Sequence, residues 1–499
     1  AAWLTSKSSL RFNLITGKEK TYQAWYGVPE NLLASDRTYN PAGTEKPGAP
    51  YDNQTDNYRQ THYQLFFNHA FNARWSLNTA VFLTRGIGYY EEYKAAQNFS
   101  DYGLPDITQG NTTITQTDLV RRRWLDNYFY GQIASLQYKD NRNEWTLGGG
   151  WNVYDGKHYG TIPWVLTGTT PPANYRYYDY PAVKTDINLY SKWQRQLGNH
   201  WTGFADLQYR YVSHTMTGFE GNPSLDISRQ FHFINPKLGF NYQHNDWKWY
   251  LSYALGHKEP NRDDFQASLA SQPKAETLHD IETGFERKGN HYKFGATFYY
   301  MYYYNQLVLT GQINDVGSYT RINIPDSYRL GLELEGTYTP VTWMRFSGNL
   351  SLSRNKIASF TEYIDNYDNG GQNAVPHHNT DISFSPSVVG SATFGFFPLK
   401  QLELDILNKY VGKEYMDNSQ QETRRLNAFF VTHLRAAYTL PHFLGGEWTL
   451  RAQVNNLFNT RYEPNGYTYV YIANNILNTE NSYYPMAGTN FLAAISLRF

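Results

Sequence analysis

Read two residues at a time, the sequence keeps placing apolar side chains on one side and polar ones on the other. Over residues 490–499, Phe491, Ala493, Ile495, Leu497 and Phe499 share one face, while Asn490, Leu492, Ala494, Ser496 and Arg498 share the other. Tyr328, Leu330, Leu332 and Leu334 alternate with Arg329, Glu333 and Glu335. Trp448, Leu450, Ala452 and Val454 alternate with Thr449, Arg451, Gln453 and Asn455. Successive side chains of a strand point to opposite faces, so the pattern predicts strands with one apolar and one wet face. A soluble sandwich shows the same alternation. It must also manage its edges, and a many-stranded open sheet is rare. Closure into a barrel removes every edge, which lipid makes compulsory. The expected class is therefore all-β, a transmembrane antiparallel β-barrel.

Composition agrees and excludes alternatives. Tyr, Phe and Trp make up 17% of the 499 residues, and charged residues only 18%. A chain this aromatic is not disordered. No run of about 18 apolar residues occurs, so helical spans are excluded. Lys plus Arg and Asp plus Glu balance at 44 each, which argues against a nucleic-acid partner. With no Cys there are no disulfides, thiolate metal sites or Cys nucleophiles. No signal peptide opens the sequence, so the chain reads as mature, truncated or cytosolic.

About 18 strand-like segments follow one another, beginning near Ser8 and ending with the Phe491 segment. Their connections alternate between short turns and long stretches. The long ones are 27–56, 88–124, 155–181, 216–229, 259–276, 311–325, 359–381, 412–426 and 464–488. Short turns on one side and long loops on the other are the pattern of an outer-membrane barrel. Trp75, Trp145, Trp201, Trp247, Trp343 and Trp448 sit just after short turns, as one interfacial belt would.

Four stretches carry a family resemblance. Residues 490–499 resemble the terminal strand of outer-membrane proteins, whose last Phe serves as an assembly signal; Phe499 and Leu497 hold that role here. Asn455-Asn456-Leu457-Phe458-Asn459-Thr460-Arg461-Tyr462 resembles the N-L-F-N-x-x-Y stretch of TonB-dependent receptors. Residues 276–284 resemble their P-E-x-x-x-x-x-E-x-G stretch, and residues 327–335 their G-x-E-x-E strand. Residues 17–30 (GKEKTYQAWYGVPE) and 258–265 (KEPNRDDF) are similar to the Bacteroidota branch. The resemblance implies a plugged barrel of roughly 22 strands. No plug and no TonB box are found, and residues 1–4 read as the tail of a further strand. Residues 1–499 are thus expected to be the C-terminal portion of such a barrel, with the plug and first strands absent.

The function implied is TonB-dependent import of a scarce nutrient across the bacterial outer membrane. A ferric siderophore comes first, then cobalamin or haem; a passive 18-stranded porin is the alternative. Long loops would be extracellular and the termini periplasmic. The implied partners are the TonB complex through a plug outside this chain, the lipid bilayer, lipopolysaccharide, a surface lipoprotein and a small-molecule ligand. Neither G-x-S-x-G nor H-E-x-x-H occurs, so no enzyme and no cofactor is expected.

Three groups are candidate ligand contacts. His377 and His378 lie in the predicted loop 359–381, where adjacent histidines could turn to one metal or haem iron; the plainer reading is solvated loop histidines. Arg121, Arg122 and Arg123 form a run suited to an anionic siderophore or lipid headgroup, or simply a solvated charge run. Tyr175, Tyr177, Tyr178, Tyr467, Tyr469 and Tyr471 offer rigid amphipathic area for a vestibule, or for loops packing on one another. Arg345, Glu333, Glu335, Arg435, Asp405 and Arg451 are expected to face the lumen, several of them meeting plug residues.

Overall fold

The computed structural model describes residues 1–267, 272–313, 319–443 and 445–498. Phe499 and parts of the predicted loops 259–276 and 311–325 lie outside the described residues. The chain divides into two compact units. One holds Ala1–Trp25, Asn40–Arg195 and Phe204–Pro236, the other Tyr26–Tyr39, Gln196–Gly203 and Lys237–Phe499. Each of the segments expected from alternation meets a strand, and residues 2–4 form the expected stub. The one α-helix among the described residues is Arg262–Ala267, and no helix is long and apolar enough to cross a membrane.

In the first unit, Ala2–Leu4, Ser8–Tyr22, Thr55–Ala70, Trp75–Asn98, Gln116–Lys139, Asn143–Val165 and Tyr178–Gln196 pair each with the next, all antiparallel. In the second, the end of Asn222–His244 begins a ladder through Trp247–Lys258, Glu276–Lys288, Tyr292–Ile313, Tyr319–Val341 and Met344–Asn366. It continues through Val388–Leu399, Leu402–Val411, Phe429–Phe443, Gly446–Asn455 and Asn490–Arg498. Ala2–Leu4 pairs with Ser8–Tyr22 in the first unit, and Asn490–Arg498 pairs with Gly446–Asn455 in the second.

Register turns the alternation into two surfaces, because residues directly opposite in a ladder share a face. In the second unit Phe240, Leu251, Thr283, Phe298, Leu332 and Leu352 are opposite one another in sequence of strands. All of these but the half-buried Thr283 are exposed, Phe298 to 45%. In the first unit Phe12, Leu65, Val81, Gln132, Trp151 and Ile187 form the equivalent stripe. Such wide exposed apolar faces do not belong in water. The opposite face carries Thr297, Glu333 and Ser351 in one row and Glu335, Asn349 and Ser391 in another. Leu497 lies opposite Trp448, on the apolar side.

Two of the family-like motifs have local physical causes. Gly284 and Gly331 lie opposite Tyr250 and Tyr299, whose rings fold over them; a Cβ would stand 2.5 Å from the first ring and 2.3 Å from the second. Only glycine leaves that room. After Gly446–Asn455, Asn456 and Asn459 both take positive φ, 49° and 52°. Asparagine tolerates this conformation. The buried Asn456 amide donates to Thr460 O at 2.9 Å and Ala487 O at 3.2 Å, fixing the path toward the last strand.

The two ends of the strands differ. At the short-turn end, Asn245 turns the chain with φ 49°. Asp140 accepts from the backbone N–H of Arg142 and Asn143 at 2.8 and 2.7 Å, which holds its carboxyl down at about 2. Trp75, Trp201 and Trp247 open their strands, Trp145 and Trp448 are the third residues of theirs, and Trp343 directly precedes Met344–Asn366.

The tall end corrects an expectation. Much of what reads as long loop is strand: Trp75–Asn98 and Gln116–Lys139 each run 24 residues, and only Glu220 and Gly221 separate Trp201–Phe219 from Asn222–His244. Where both faces are wet, the alternation fades while the backbone ladder goes on. In the second unit these extensions build a small sheet. Gly371–Asp381 pairs with Met344–Asn366, whose Asp365 and Asn366 pair in parallel with Tyr471 and Ile472 of Gly466–Ala473. Ile476–Tyr483 and Val28–Pro29 extend it. A core of Val308, Ile324, Ile357 and Ile382 lies within this end of the unit.

Candidate functional site

At the tall end of the second unit a cavity of about 410 Å³ opens between Tyr292–Ile313, Tyr319–Val341, Met344–Asn366, residues 417–419 and Gly466–Ala473. Its size lies in the range of small-ligand sites. Thr310, Gln312, Glu362, Asp417, Asn418 and Thr468 supply much of its polar wall, Phe360 and Val470 part of its apolar wall.

A side-chain network holds this wall in place. Residues 417–419 are anchored by Asn418, which donates to Leu309 O at 2.8 Å and accepts from Ser383 N at 2.9 Å. Arg424, 3% exposed, is the hub. Its Nη1 reaches Glu362 Oε1 at 2.6 Å, Asp417 Oδ2 at 2.8 Å and Ser419 Oγ at 3.3 Å. Arginine suits this place because it stays charged when buried and one of its terminal nitrogens can serve several acceptors. On the far side of the cavity Arg321 grips Asp264 through Nε at 2.8 Å and Nη2 at 3.1 Å. Nearby, burial alone pushes the Glu414 carboxyl up to about 7.

The structure places His377 and His378 in the Gly371–Asp381 strand, which corrects the expected loop placement. Adjacent strand residues point to opposite faces. His377 stacks on Phe360 with ring centroids 4.9 Å apart and its Nε2 lies 2.8 Å from Glu362 Oε2, whereas His378 is exposed. No group of three or more His, Asp or Glu among the described residues is placed to hold a metal ion.

The arginine run, in the first unit, is matched carboxylate by carboxylate. Glu92 stands opposite Arg121 and Glu91 opposite Arg122 in the ladder. The ion pairs measure 2.9 Å for Arg121–Glu92, 2.6 Å for Arg122–Glu91 and 2.6 Å for Arg123–Glu220. The run is therefore not solvated. Tyr177 joins a buried cluster with Tyr102 and Leu119, and burial raises its phenol. Tyr175 Oη donates to Tyr102 O at 2.6 Å, and Tyr178 stacks on Tyr180. These three tyrosines pack loop against strand.

The other three lie together on one face of Gly466–Ala473, half-buried, with Thr468 and Val470 on the reverse face lining the cavity. Tyr469 bonds Tyr367 at 2.5 Å and Asp365 at 3.0 Å; Tyr471 bonds Glu480 at 2.8 Å. The Tyr-x-Tyr-x-Tyr spacing carries the signal that the intervening Thr468 and Val470 turn away. Glu362, Asp417 and Arg424 had no comparable signal, since their meeting depends on distant strands.

On the polar face of the wall, several charges expected to face the lumen find partners within the sheet. Arg435 reaches Asp405 at 2.5 Å, Arg345 reaches Glu403 at 3.1 Å, and Lys293 reaches Glu335 at 3.3 Å. Arg451 bonds Ser496 Oγ at 2.8 Å.

Comparison with known proteins fits this geometry. The ferric-catecholate import receptor Fiu from E. coli K12 superposes with a TM-score of 0.68 at 12% identity, covering 100% of this chain and 73% of that one. The siderophore receptor PiuA from Acinetobacter baumannii gives 0.64 at 13% identity, covering 98% and 71%. The ferric yersiniabactin uptake receptor FyuA from Yersinia pestis gives 0.66 at 13% identity, covering 98% and 67%. No curated protein matches the chain in sequence. The family model for the TonB-dependent receptor-like β-barrel matches residues 2–457, and the chain belongs to that family.

Proposed function

We propose that this chain forms most of the barrel of an outer-membrane receptor that captures a ferric siderophore and imports it with energy delivered through TonB. The family is one of receptors and transporters rather than enzymes, and its barrels reside in the outer membrane. The observation that carries the reading is the arrangement of the second unit. An apolar face suited to lipid backs a polar, charge-paired face, and an open cavity with mixed polar and apolar walls lies at the tall end. The siderophore receptors that share the fold favour an iron chelate as ligand; cobalamin and haem come next.

In this reading the tall end is extracellular and the short turns are periplasmic, as in bacterial barrels generally. In this reading TonB acts through a plug domain that is not among the strands described here. Lipopolysaccharide would surround the apolar face and a surface lipoprotein would sit on the tall end. The test is uptake of radiolabelled ferric siderophore by cells carrying the receptor, before and after collapse of the inner-membrane proton-motive force. Uptake should stop. Uptake that continues unchanged, together with ligand-independent conductance in a bilayer, would establish a passive pore instead.

A further inference from the structure

We propose that the cavity of the second unit seats a neutral, hydroxyl- and amide-bearing face of the ligand, and rejects anionic chelates. This rests on the reading that the cavity receives the imported ligand.

The argument is a charge count. Of the charged groups, Glu362, Asp417 and Arg321 line the cavity; Arg424 backs the two carboxylates and Asp264 backs Arg321. Every carboxylate oxygen is already engaged. Glu362 uses Oε1 on Arg424 and Oε2 on His377, at 2.6 and 2.8 Å. Asp417 uses Oδ2 on Arg424 at 2.8 Å and Oδ1 on Ser419 Oγ at 2.6 Å. Asp264 uses Oδ1 on Arg321 at 2.8 Å, and Oδ2 on Arg321 at 3.1 Å and Asn261 N at 2.7 Å. An anion drawn to Arg321 would compete with Asp264, which already holds that guanidinium through Nε and Nη2, and a cation drawn to Glu362 or Asp417 would compete with Arg424. An anion also meets carboxylates that outnumber the guanidinium groups, and the partly dry setting magnifies that repulsion.

Among the lining residues, the buried side-chain atom left without a partner is a hydroxyl. Thr468 is 2% exposed, lines the cavity, and its Oγ1 has no hydrogen-bond partner among the described residues. Buried polar atoms are almost always satisfied, so this hydroxyl is available to a ligand that can both give and accept. Gln312 and Thr361 add an amide and a hydroxyl to the same wall, and Phe360 and Val470 add apolar contact. At about 410 Å³ the space holds a portion of a chelate such as its hydroxamate or amide arms.

The experiment titrates the intact receptor, purified in detergent, by tryptophan fluorescence. The probes are ferrichrome, a neutral ferric tris-hydroxamate, and ferric enterobactin, a trianionic ferric tris-catecholate. Ferrichrome should bind at least tenfold more tightly. Thr468→Val should weaken it at least tenfold, while Thr468→Ser, which keeps the hydroxyl, restores most of the affinity and shows that the fold is intact. Equal or tighter binding of the trianion, or an unchanged affinity in Thr468→Val, overturns the inference and leaves the uptake reading standing. Failure to bind either chelate overturns the inference, and if energised uptake is also absent, the uptake reading falls with it.

Discussion

Within the second unit, the wall strands and the tall end share one antiparallel ladder, yet different forces specify them. Along the wall a residue such as Phe298 needs only to be apolar and outward, and its neighbours Leu332 and Thr283 follow from register. At the tall end, position depends on individual polar partners: Arg424 on Glu362 and Asp417, Asn418 on Leu309 and Ser383. A pattern tolerates substitution within its class, whereas a buried charge network fails when one member is lost. The same contrast separates the part that meets lipid from the part that forms the candidate site.

Substitutions can break the comparison, and the largest effect is expected at the hub. Arg424→Met leaves Glu362 and Asp417 buried without their cation, a loss of about 3–5 kcal/mol. It should appear as fast hydrogen exchange across residues 412–426 while the wall strands stay protected. Uniform loss of protection in both regions would show that they form one cooperative block. Next comes Leu332→Arg, which places a charge on the lipid face in the middle of its strand and should cost about 2–4 kcal/mol in barrel unfolding from lipid. Glu333→Gln, one residue along, should change stability by only about 0.5 kcal/mol. Equal effects would refute the facing assignment.

A smaller and pH-dependent effect belongs to Glu414. Its folded carboxyl titrates near 7, above its ordinary value of 4.5. The folded state therefore holds a proton that the unfolded chain releases, and stability declines as pH rises from about 4.5 through about 7. Residues 412–426 should exchange faster relative to a Glu414→Gln receptor at pH 8 than at pH 5.5. An identical ratio at the two pH values would refute a buried, protonated Glu414. The smallest change is expected for Asp140→Ala in an exposed turn. Because its folded carboxyl is depressed to about 2, its contribution is present above its ordinary value of 3.8 and lost as pH falls through about 2. A slight drop in thermal midpoint at pH 7 should shrink as pH falls from about 4 toward about 2.

The same division explains what could be read from the sequence. Strand positions, short turns and the Trp placements were legible because lipid on one side and water on the other force a period of two. The asparagines of the N-L-F-N stretch and Gly331 stood out as motifs, though their causes, positive φ and an overlying Tyr299 ring, required the structure. At the tall end both faces are wet, so residues 88–98 and 359–366 read as loop although they continue the ladder. His377 then moved into a strand, and the arginine run found its partners in Glu91 and Glu92 through a register that no local pattern encodes. Thr468 was within reach of the sequence, since alternation with Tyr467 and Tyr469 turns it inward.

The parallel bridge between Met344–Asn366 and Gly466–Ala473 sets an order of assembly. Neighbouring strands joined by two-residue turns can close on the microsecond scale of hairpins. Tyr469 and Asp365, by contrast, are separated by 104 positions, and the intervening strands must be in place before they meet. The entropy of so long a closure grows only logarithmically, about 0.6 kcal/mol for each doubling, so the delay is kinetic more than energetic. Thr468 and Val470 arrive with that last contact. If the ladder closes in chain order, the cavity wall is expected to be completed late, and binding at the proposed site would then report that this end of the unit has finished folding.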